Sequence, residues 1–173
     1  SAVLSKSGNP DIFIYDLELS SWLQVTNHFG IDTEPDWSPN SKKILFTSNR
    51  SGSPQLYEVN TRTKRITRLT FEGTYNARGR YLPNGKGIIF VHRQNGVFHI
   101  ATQNLRTGKI KILTDTRLDE SPTVSPNGNV VLYATKDGDK DILAGITLDG
   151  QTKFIMPSLK GEAREPSWSP LID

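Results

Sequence analysis

Side chains that could perform catalysis or bind metal are few in this sequence, and they do not form a recognisable catalytic pattern. The chain has 173 residues, no cysteine and three histidines, His28, His92 and His99. The lack of cysteine excludes disulfides, thiol catalysis and thiolate metal sites, and the histidines lack metal-ligand spacing. There is no Gly-x-Ser-x-Gly elbow, and residues 79–86 have the wrong count for a phosphate-binding loop. We therefore predict no enzymatic activity and no catalytic, cofactor-binding or metal-binding residues.

Composition and charge exclude two classes of partner. Hydrophobic residues make up 35% of the chain, mean hydropathy is -0.47, and no stretch approaches the roughly 18 apolar residues of a membrane span. We expect no direct membrane insertion. The 21 Lys and Arg residues exceed the 18 Asp and Glu residues, giving a net charge of +3. These basic residues are scattered, whereas nucleic-acid binding requires clustered positive charge, so we predict no nucleic-acid partner.

Two sequence landmarks repeat with the same period. Four similar segments end in a proline, at positions 39, 83, 126 and 170, with spacings of 44, 43 and 44 residues. A second landmark, Thr26, Thr70, Thr114 and Pro157, repeats at spacings of 44, 44 and 43 residues. Such a period indicates a repeat architecture in which neighbouring units share their core.

Each repeat is composed of short strands and turns. In the unit that begins at Asp32, the predicted strands are 35–38, 43–48, 55–60 and 64–70. Strand 43–48 is mostly apolar and is expected to be buried on both faces, whereas strand 64–70 is the most polar and is expected at the outer edge. Four strands per unit are typical of β-propeller blades. The predicted fold class is all-β, a partial β-propeller of four-stranded antiparallel blades that forms an arc of a ring.

We predict a single partial propeller domain over residues 1–173, with repeat units at about 1–31 (partial), 32–75, 76–118, 119–162 and 163–173 (partial). The first unit is expected to lack its inner strand and the last to contain only its inner strand, as in a fragment of a longer protein. The column formed by Trp37, Tyr81, Val124 and Trp168 is assigned to the core between blades.

The two ends of the arc are expected to expose apolar side chains, including Trp168 and residues near Leu4 and Ile12. Because uncovered apolar faces and strand edges promote association, the isolated chain is predicted to self-associate. Residues 158–173 are expected to be its least protected part otherwise.

The loops that lead into the inner strands should gather on one face of a propeller. When the units are aligned on their prolines, Asp32, Asn76 and Asp119 occupy the same column. The next two columns hold Thr33 and Glu34 of the second unit. The candidate partner-binding residues on this face are Asp32, Thr33, Glu34, Tyr75, Asn76, Asp119, Glu120, Arg164 and Glu165. Each has an alternative: the Asp/Asn column could cap turns, Thr33 and Glu34 could form a solvated rim, and Tyr75 could pack on its own blade.

Several strings resemble a known propeller family. Glu34–Pro39, Ile44–Gly52 and Gln55–Tyr57 resemble the TolB-type repeat, which also occurs in propellers attached to peptidases. Further strings are similar to the TolB family itself, and together they cover essentially the whole chain: Phe71–Asn76, Gln103–Gly108, Leu118–Gly128 and Arg164–Pro170.

The resemblance implies the carboxy-terminal part of a six-bladed propeller from the periplasmic Tol-Pal system, without the family's amino-terminal α/β domain. It implies binding of a Pal-like peptidoglycan-associated lipoprotein through one face, with certain colicin translocation segments competing for that face. Thr33 and Glu34 match the family's Thr-Glu contact pair. The alternative is the accessory propeller of a serine peptidase of the prolyl oligopeptidase type, in which another domain carries catalysis.

Overall fold

The structure, a computed structural model, describes residues 1–6, 8–157 and 161–169. Its strands form four successive antiparallel sheets, here called blades 1 to 4. Blade 1 comprises β1 (Ala2–Leu4), β2 (Asp11–Asp16) and β3 (Ser21–Gln24). Blade 2 comprises β4 (Asp32–Trp37), β5 (Lys43–Ser48), β6 (Gln55–Asn60) and β7 (Ile66–Arg68). Blade 3 comprises β8 (Tyr75–Tyr81), β9 (Gly87–Gln94), β10 (Val97–Asn104) and β11 (Ile110–Ile112). Blade 4 comprises β12 (Glu120–Val124), β13 (Val130–Asp137), β14 (Lys140–Thr147) and β15 (Lys153–Ile155).

Within each blade the strands pair in chain order, so every blade is an antiparallel meander. The first strands of blades 2, 3 and 4 contact one another in succession and therefore form the inner side of the arc. The last strands lie at the opposite edge of each sheet and are only 3 residues long, as expected for protected outer edges. The all-β, partial-propeller prediction is confirmed. In the part of the chain that the structure describes, no helix could cross a membrane.

Three predicted strands differ from the structure. The outer strand of blade 2 is Ile66–Arg68, shorter than the predicted 64–70. The inner strand of blade 2 begins at Asp32 and not at Pro35, because it continues through an irregularity between Thr33 and Asp36. The inner strand expected in the fifth unit is absent from residues 161–169. An inner strand elsewhere is held by a paired second strand, and no described strand pairs with this segment. Residues 170–173 of the predicted fifth unit lie outside the described part, and so do residues 158–160 of the segment expected to be least protected.

The core lies between blades and not within them. Its three apolar clusters join blade 1 to blade 2, blade 2 to blade 3, and blade 3 to blade 4. Trp37, Tyr81 and Val124 each pack in one of these clusters, which confirms the predicted inter-blade column for these three, whereas Trp168 is 37% exposed. Ile12 does not face water as expected, because it is completely buried in the cluster that joins blades 1 and 2, whereas Val3, beside Leu4, is 36% exposed.

Two sets of hydrogen bonds recur with the repeat. A backbone N–H at the start of each new unit donates to a carbonyl of the preceding blade, in the pairs Asp32 to Pro10, Asn76 to Pro54, Asp119 to Phe98 and Ala163 to Asp141. The threonine landmark has a separate role. The hydroxyls of Thr26, Thr70 and Thr114 accept a hydrogen bond from a backbone N–H in the strand next to the last strand of their own blade. In blades 1 to 3 the second period therefore marks a tether between the end of the blade and its penultimate strand, whereas its fourth position is Pro157, which has no hydroxyl.

Gly79 should tolerate no side chain. A Cβ at this position would lie 2.8 Å from Leu45 and 2.9 Å from Leu56, and both leucines are completely buried between blades 2 and 3. Because a close-packed core resists added volume, Gly79→Ala is expected to lower the free energy of unfolding by about 2 kcal/mol. Urea denaturation checks this. The control is Gly138→Asn, where nothing lies within 4 Å and φ is 59°, a conformation that asparagine tolerates. Equal stability of both variants would contradict the packing argument.

Candidate functional site

The inner strands share an unusual backbone feature at one position. Glu34, Arg78, Ser121 and Glu165 have positive φ angles of 57°, 55°, 52° and 52°. In blades 2, 3 and 4 this residue lies where the pairing of the first two strands shifts register. A left-handed conformation in a residue other than glycine costs about 1–3 kcal/mol and persists where surrounding contacts impose it. The repeated strain indicates that these four side chains are held in place by contacts between blades.

Arg78 is the centre of those contacts. Its Nη1 donates to Ser121 Oγ at 2.6 Å and to Glu165 Oε1 at 2.5 Å. Ser121 Oγ in turn donates to the same glutamate oxygen at 2.8 Å. On the other side, Arg78 Nε lies 3.6 Å from Glu34 Oε1. One guanidinium therefore connects blade 2, blade 4 and the segment that follows blade 4.

Glu34 is fixed through only one of its carboxylate oxygens. Its Oε2 accepts hydrogen bonds from Thr47 Oγ1 at 2.6 Å and from the backbone N–H of Arg78 at 2.9 Å. The other oxygen, Oε1, lies beyond hydrogen-bonding distance of Arg78 Nε, and the side chain is 30% exposed. Glu34 can therefore accept a further hydrogen bond without leaving its position.

The charges on this face shift the pKa values of its members. Burial lowers the pKa of Arg78, but the hydrogen bond to Glu165 and the nearby carboxylates outweigh it, and the net pKa is raised. The hydrogen bond from Arg78 lowers the pKa of Glu165. Burial, with the charge of Glu34, raises the pKa of the Tyr75 phenol. At neutral pH this face therefore presents a cation, ionised carboxylates and a phenolic O–H donor.

A pocket of about 330 Å³ opens beside Arg78, between blades 3 and 4. It brings together four of the sequence candidates, Tyr75, Asp119, Glu120 and Arg164. Tyr75 forms one wall with Phe98, edge to face at 5.4 Å between ring centres. The pocket has a mixed apolar and charged lining, which suits a protein or peptide ligand.

Sequence reasoning missed several residues of this pocket. Leu118, 52% exposed, lines it from the position that Tyr75 occupies in the preceding unit, so the repeat alignment contained a signal for it. Lys136 and Asp141 also line it and form an ion pair at 2.6 Å. They flank the β13–β14 turn, which the two landmarks do not mark.

The predicted Asp/Asn column lies below the surface. Asp32, Asn76 and Asp119 are at most 1% exposed. Asp32 Oδ2 pairs with Arg50 Nη2 at 2.7 Å, and Asp119 accepts from three threonine hydroxyls. Asn76 bonds to the side chains of Gln55 in blade 2 and His92 in its own blade. These bonds are internal, but among the described residues none of the three side chains accepts from a backbone N–H, so they do not follow the capping alternative either. The candidates that remain accessible are Thr33, Glu34, Tyr75, Glu120, Arg164 and Glu165.

The histidines do not build a metal centre in the described residues. His92 and His99 are cross-strand partners, and Nδ1 of His92 lies 2.7 Å from Asn76 Oδ1. Burial lowers the pKa of His92, so it is neutral at pH 7. Across residues 1–6, 8–157 and 161–169, no three His, Asp or Glu side chains are grouped as metal ligands.

Known structures share this fold to different degrees. A prolyl endopeptidase structure superposes with a TM-score of 0.67 at 12% identity, covering 88% of this chain and 27% of that chain; this likeness shows the fold alone. TolB from Acinetobacter baumannii superposes with a TM-score of 0.90 at 44% identity, covering 98% of this chain and 43% of that chain. The peptidase alternative thus gains no support beyond the shared architecture.

Sequence comparison gives the same result. The chain is 45% identical over 151 residues to the Tol-Pal system protein TolB of Bordetella pertussis, covering 87% of this chain. It spans 34% of the length of that relative. Residues 1–172 match the family described as the TolB beta propeller domain. With its period, its blades and these matches, this chain belongs to the TolB β-propeller family.

Proposed function

We propose that this chain is a protein-binding propeller module of the periplasmic Tol-Pal envelope system and has no enzymatic activity. It binds a Pal-like lipoprotein through the face that carries Thr33, Glu34, Tyr75, Glu120 and Arg164, and colicin translocation segments compete for the same face. The observation that carries the proposal is the convergence of strained, hydrogen-bonded charges from successive blades beside a pocket with aromatic walls.

The chemistry of this face suits protein recognition. Aromatic and arginine side chains are enriched in the buried centres of interfaces and dominate their binding energy. Here Tyr75 and Leu118 supply apolar area, while Glu34 Oε1 and the Arg164 guanidinium supply an acceptor and a donor. Because Arg78 and Ser121 hold Glu34 and Glu165 in place, little side-chain freedom is lost when a partner binds.

Glu34→Ala is expected to weaken binding of the soluble domain of a Pal-like lipoprotein about tenfold or more. A hydrogen bond to a charged group at an interface is worth about 1.5–3 kcal/mol, and this variant removes the accessible oxygen. Isothermal titration calorimetry measures the affinity. The control is Lys42→Ala, at an exposed residue in the β4–β5 turn, away from the candidate face.

The two ways in which this experiment can fail are separable. If the unaltered chain gives no binding heat with a Pal-like domain, the proposed partner is wrong for this chain. If the unaltered chain binds and Glu34→Ala binds equally well, the partner stands and Glu34 lies outside the interface.

Self-association stays a prediction for this chain. Its structural basis is in blade 1, where Leu17 is 84% exposed and Leu19 is 76% exposed. Sedimentation velocity at several concentrations measures it, and a single monomeric species throughout would contradict it.

A further inference from the structure

The sequence contains three Asn-Gly pairs, Asn84-Gly85, Asn95-Gly96 and Asn127-Gly128. Asparagine followed by glycine loses its side-chain amide readily, because glycine has no side chain to shield its backbone nitrogen and rotates freely. All three asparagines are exposed. Exposure therefore does not distinguish the pairs, and a difference in their reactivity must come from the hydrogen bonds around each one.

At Asn84-Gly85 both groups that would react are engaged in hydrogen bonds. The Gly85 N–H donates to the Leu82 carbonyl at 2.8 Å. Asn84 Oδ1 accepts from the backbone N–H of Lys86 at 2.9 Å. The nitrogen that would attack and the amide that would be attacked must therefore both leave a hydrogen bond before they can react.

Asn127-Gly128 is held in the same way. The Gly128 N–H donates to the Ser125 carbonyl at 2.8 Å. Asn127 Oδ1 accepts from the Ser125 hydroxyl at 2.7 Å and from the backbone N–H of Asn129 at 3.1 Å. This pair and Asn84-Gly85 lie in the same turn of blades 4 and 3, between the first and second strands, so the repeat protects both in one way.

Asn95-Gly96 lacks these restraints. It forms the two-residue turn between β9 and β10, which the Gln94–Val97 pair closes. The φ angles of Asn95 and Gly96 are 50° and 84°, typical of a type I′ hairpin turn. Among the described residues, neither the Asn95 side chain nor the Gly96 N–H forms a hydrogen bond. A Cβ on Gly96 would meet nothing within 4 Å, so no packing holds the turn.

We infer that Asn95 is a site of covalent modification, at which the side-chain amide is lost and an acidic residue forms. The Gly96 backbone nitrogen gives up its proton and bonds to Cγ of Asn95, while the Cγ–Nδ2 bond breaks and ammonia leaves with that proton. The product is a cyclic succinimide. Water then opens the ring at either carbonyl and leaves aspartate or isoaspartate. Water is the only other reactant.

The modified turn lies beside the candidate face. Because Tyr75 pairs with Arg93 across the sheet, the Asn95-Gly96 turn is at the same end of blade 3 as Tyr75. Phe98 follows the turn closely in β10 and packs edge to face on Tyr75. Aspartate adds a negative charge to this edge, and isoaspartate also lengthens the backbone of the turn by one carbon atom. The inference does not depend on which partner binds this face.

Peptide mapping by mass spectrometry tests the inference on the unaltered chain. The chain is incubated at mildly alkaline pH, and the three asparagines are followed by the mass change of amide loss and by the isoaspartate formed. In the folded chain Asn95 is expected to convert about tenfold or more faster than Asn84 and Asn127, because only Asn95 reacts without first breaking hydrogen bonds. In guanidinium chloride the three sites are expected to convert at similar rates, since the hydrogen bonds are lost and the dipeptide is the same.

Asn95→Gln is the matched variant. Glutamine keeps the amide, but the ring that it would form is larger and closes much more slowly. The folded variant is expected to release far less ammonia than the unaltered chain, and circular dichroism shows whether it is folded. Equal rates at the three sites in the folded chain would overturn the inference. So would faster conversion of Asn95 that persists undiminished in guanidinium chloride, or undiminished release of ammonia from folded Asn95→Gln.

Discussion

Arg78→Met is expected to lower the free energy of unfolding by about 3 kcal/mol and to weaken binding of a Pal-like domain more than Glu34→Ala does. Charge-assisted hydrogen bonds are each worth about 1.5–3 kcal/mol, and Arg78 makes two, to Ser121 and Glu165. Methionine retains the length of the side chain but leaves a buried hydroxyl and two carboxylates without their cation. Because these carboxylates would then repel each other, the positions of Glu34 and Glu165 should both become less defined. Urea denaturation and calorimetry measure the two effects.

The loss of stability caused by Arg78→Met should depend on pH. The hydrogen bond from Arg78 lowers the pKa of Glu165 below its ordinary value of 4.5. A lowered pKa stabilises the fold above the ordinary value, and that stabilisation is lost as pH falls through the folded-state pKa. The difference in stability between the unaltered chain and Arg78→Met should therefore be largest near neutral pH and shrink as pH falls below 4.5.

Arg78→Lys is the matched control. Lysine keeps the positive charge but lacks the planar guanidinium with which Arg78 contacts groups on both sides of the face. Arg78→Lys is expected to lower the free energy of unfolding by about half as much as Arg78→Met does. Equal stability of Arg78→Met and the unaltered chain would mean that the strained backbone is held by the sheets alone.

The repeat made the blades predictable, but not the geometry of the candidate face. The prolines recur because the units need the same turn, and the threonines recur because blades 1 to 3 share the same tether to their penultimate strand. Two periods were therefore visible in the sequence. The left-handed residues Glu34, Arg78 and Ser121 carry no such signal, because their residue types do not favour positive φ. Their conformation is imposed by partners 43 or 44 positions away, and that contact exists only once the blades are packed.

Burial was also hard to infer from residue type. Asp32 and Asp119 were predicted at a binding surface because they lie in the loops that lead into the inner strands, yet both are buried and hydrogen-bonded inside the chain. The buried Gln103 was noted only at the start of a string similar to the TolB family, although the repeat alignment places it where blades 2 and 4 have Val59 and Ile146. The fifth unit carries the residue pattern of an inner strand, but a strand also requires a neighbour, which sequence periodicity does not supply.

Asp119→Ala is expected to destabilise the chain by about 4 kcal/mol. This buried carboxylate accepts from the hydroxyls of Thr114, Thr116 and Thr135, the last at 2.7 Å. Hydrogen bonds to a charged group are worth about 1.5–3 kcal/mol each, and buried donors left without an acceptor add a desolvation cost. Partial re-pairing of the rotatable hydroxyls limits the total to less than the sum of three bonds. Thermal and urea denaturation measure the loss.

Asp119→Asn removes the charge of this side chain but keeps its shape. Blade 3 already holds an asparagine, Asn76, in the same column. The amide oxygen can still accept, and a hydroxyl can rotate to accept from the amide nitrogen. The expected loss is therefore only about 1–2 kcal/mol. Thr116→Val is expected to lower the free energy of unfolding by about 1 kcal/mol. It removes one hydrogen-bond donor and leaves the Asp119 carboxylate with two. If Asp119→Ala were no more destabilising than Thr116→Val, the carboxylate would not be what ties the end of blade 3 to the start of blade 4.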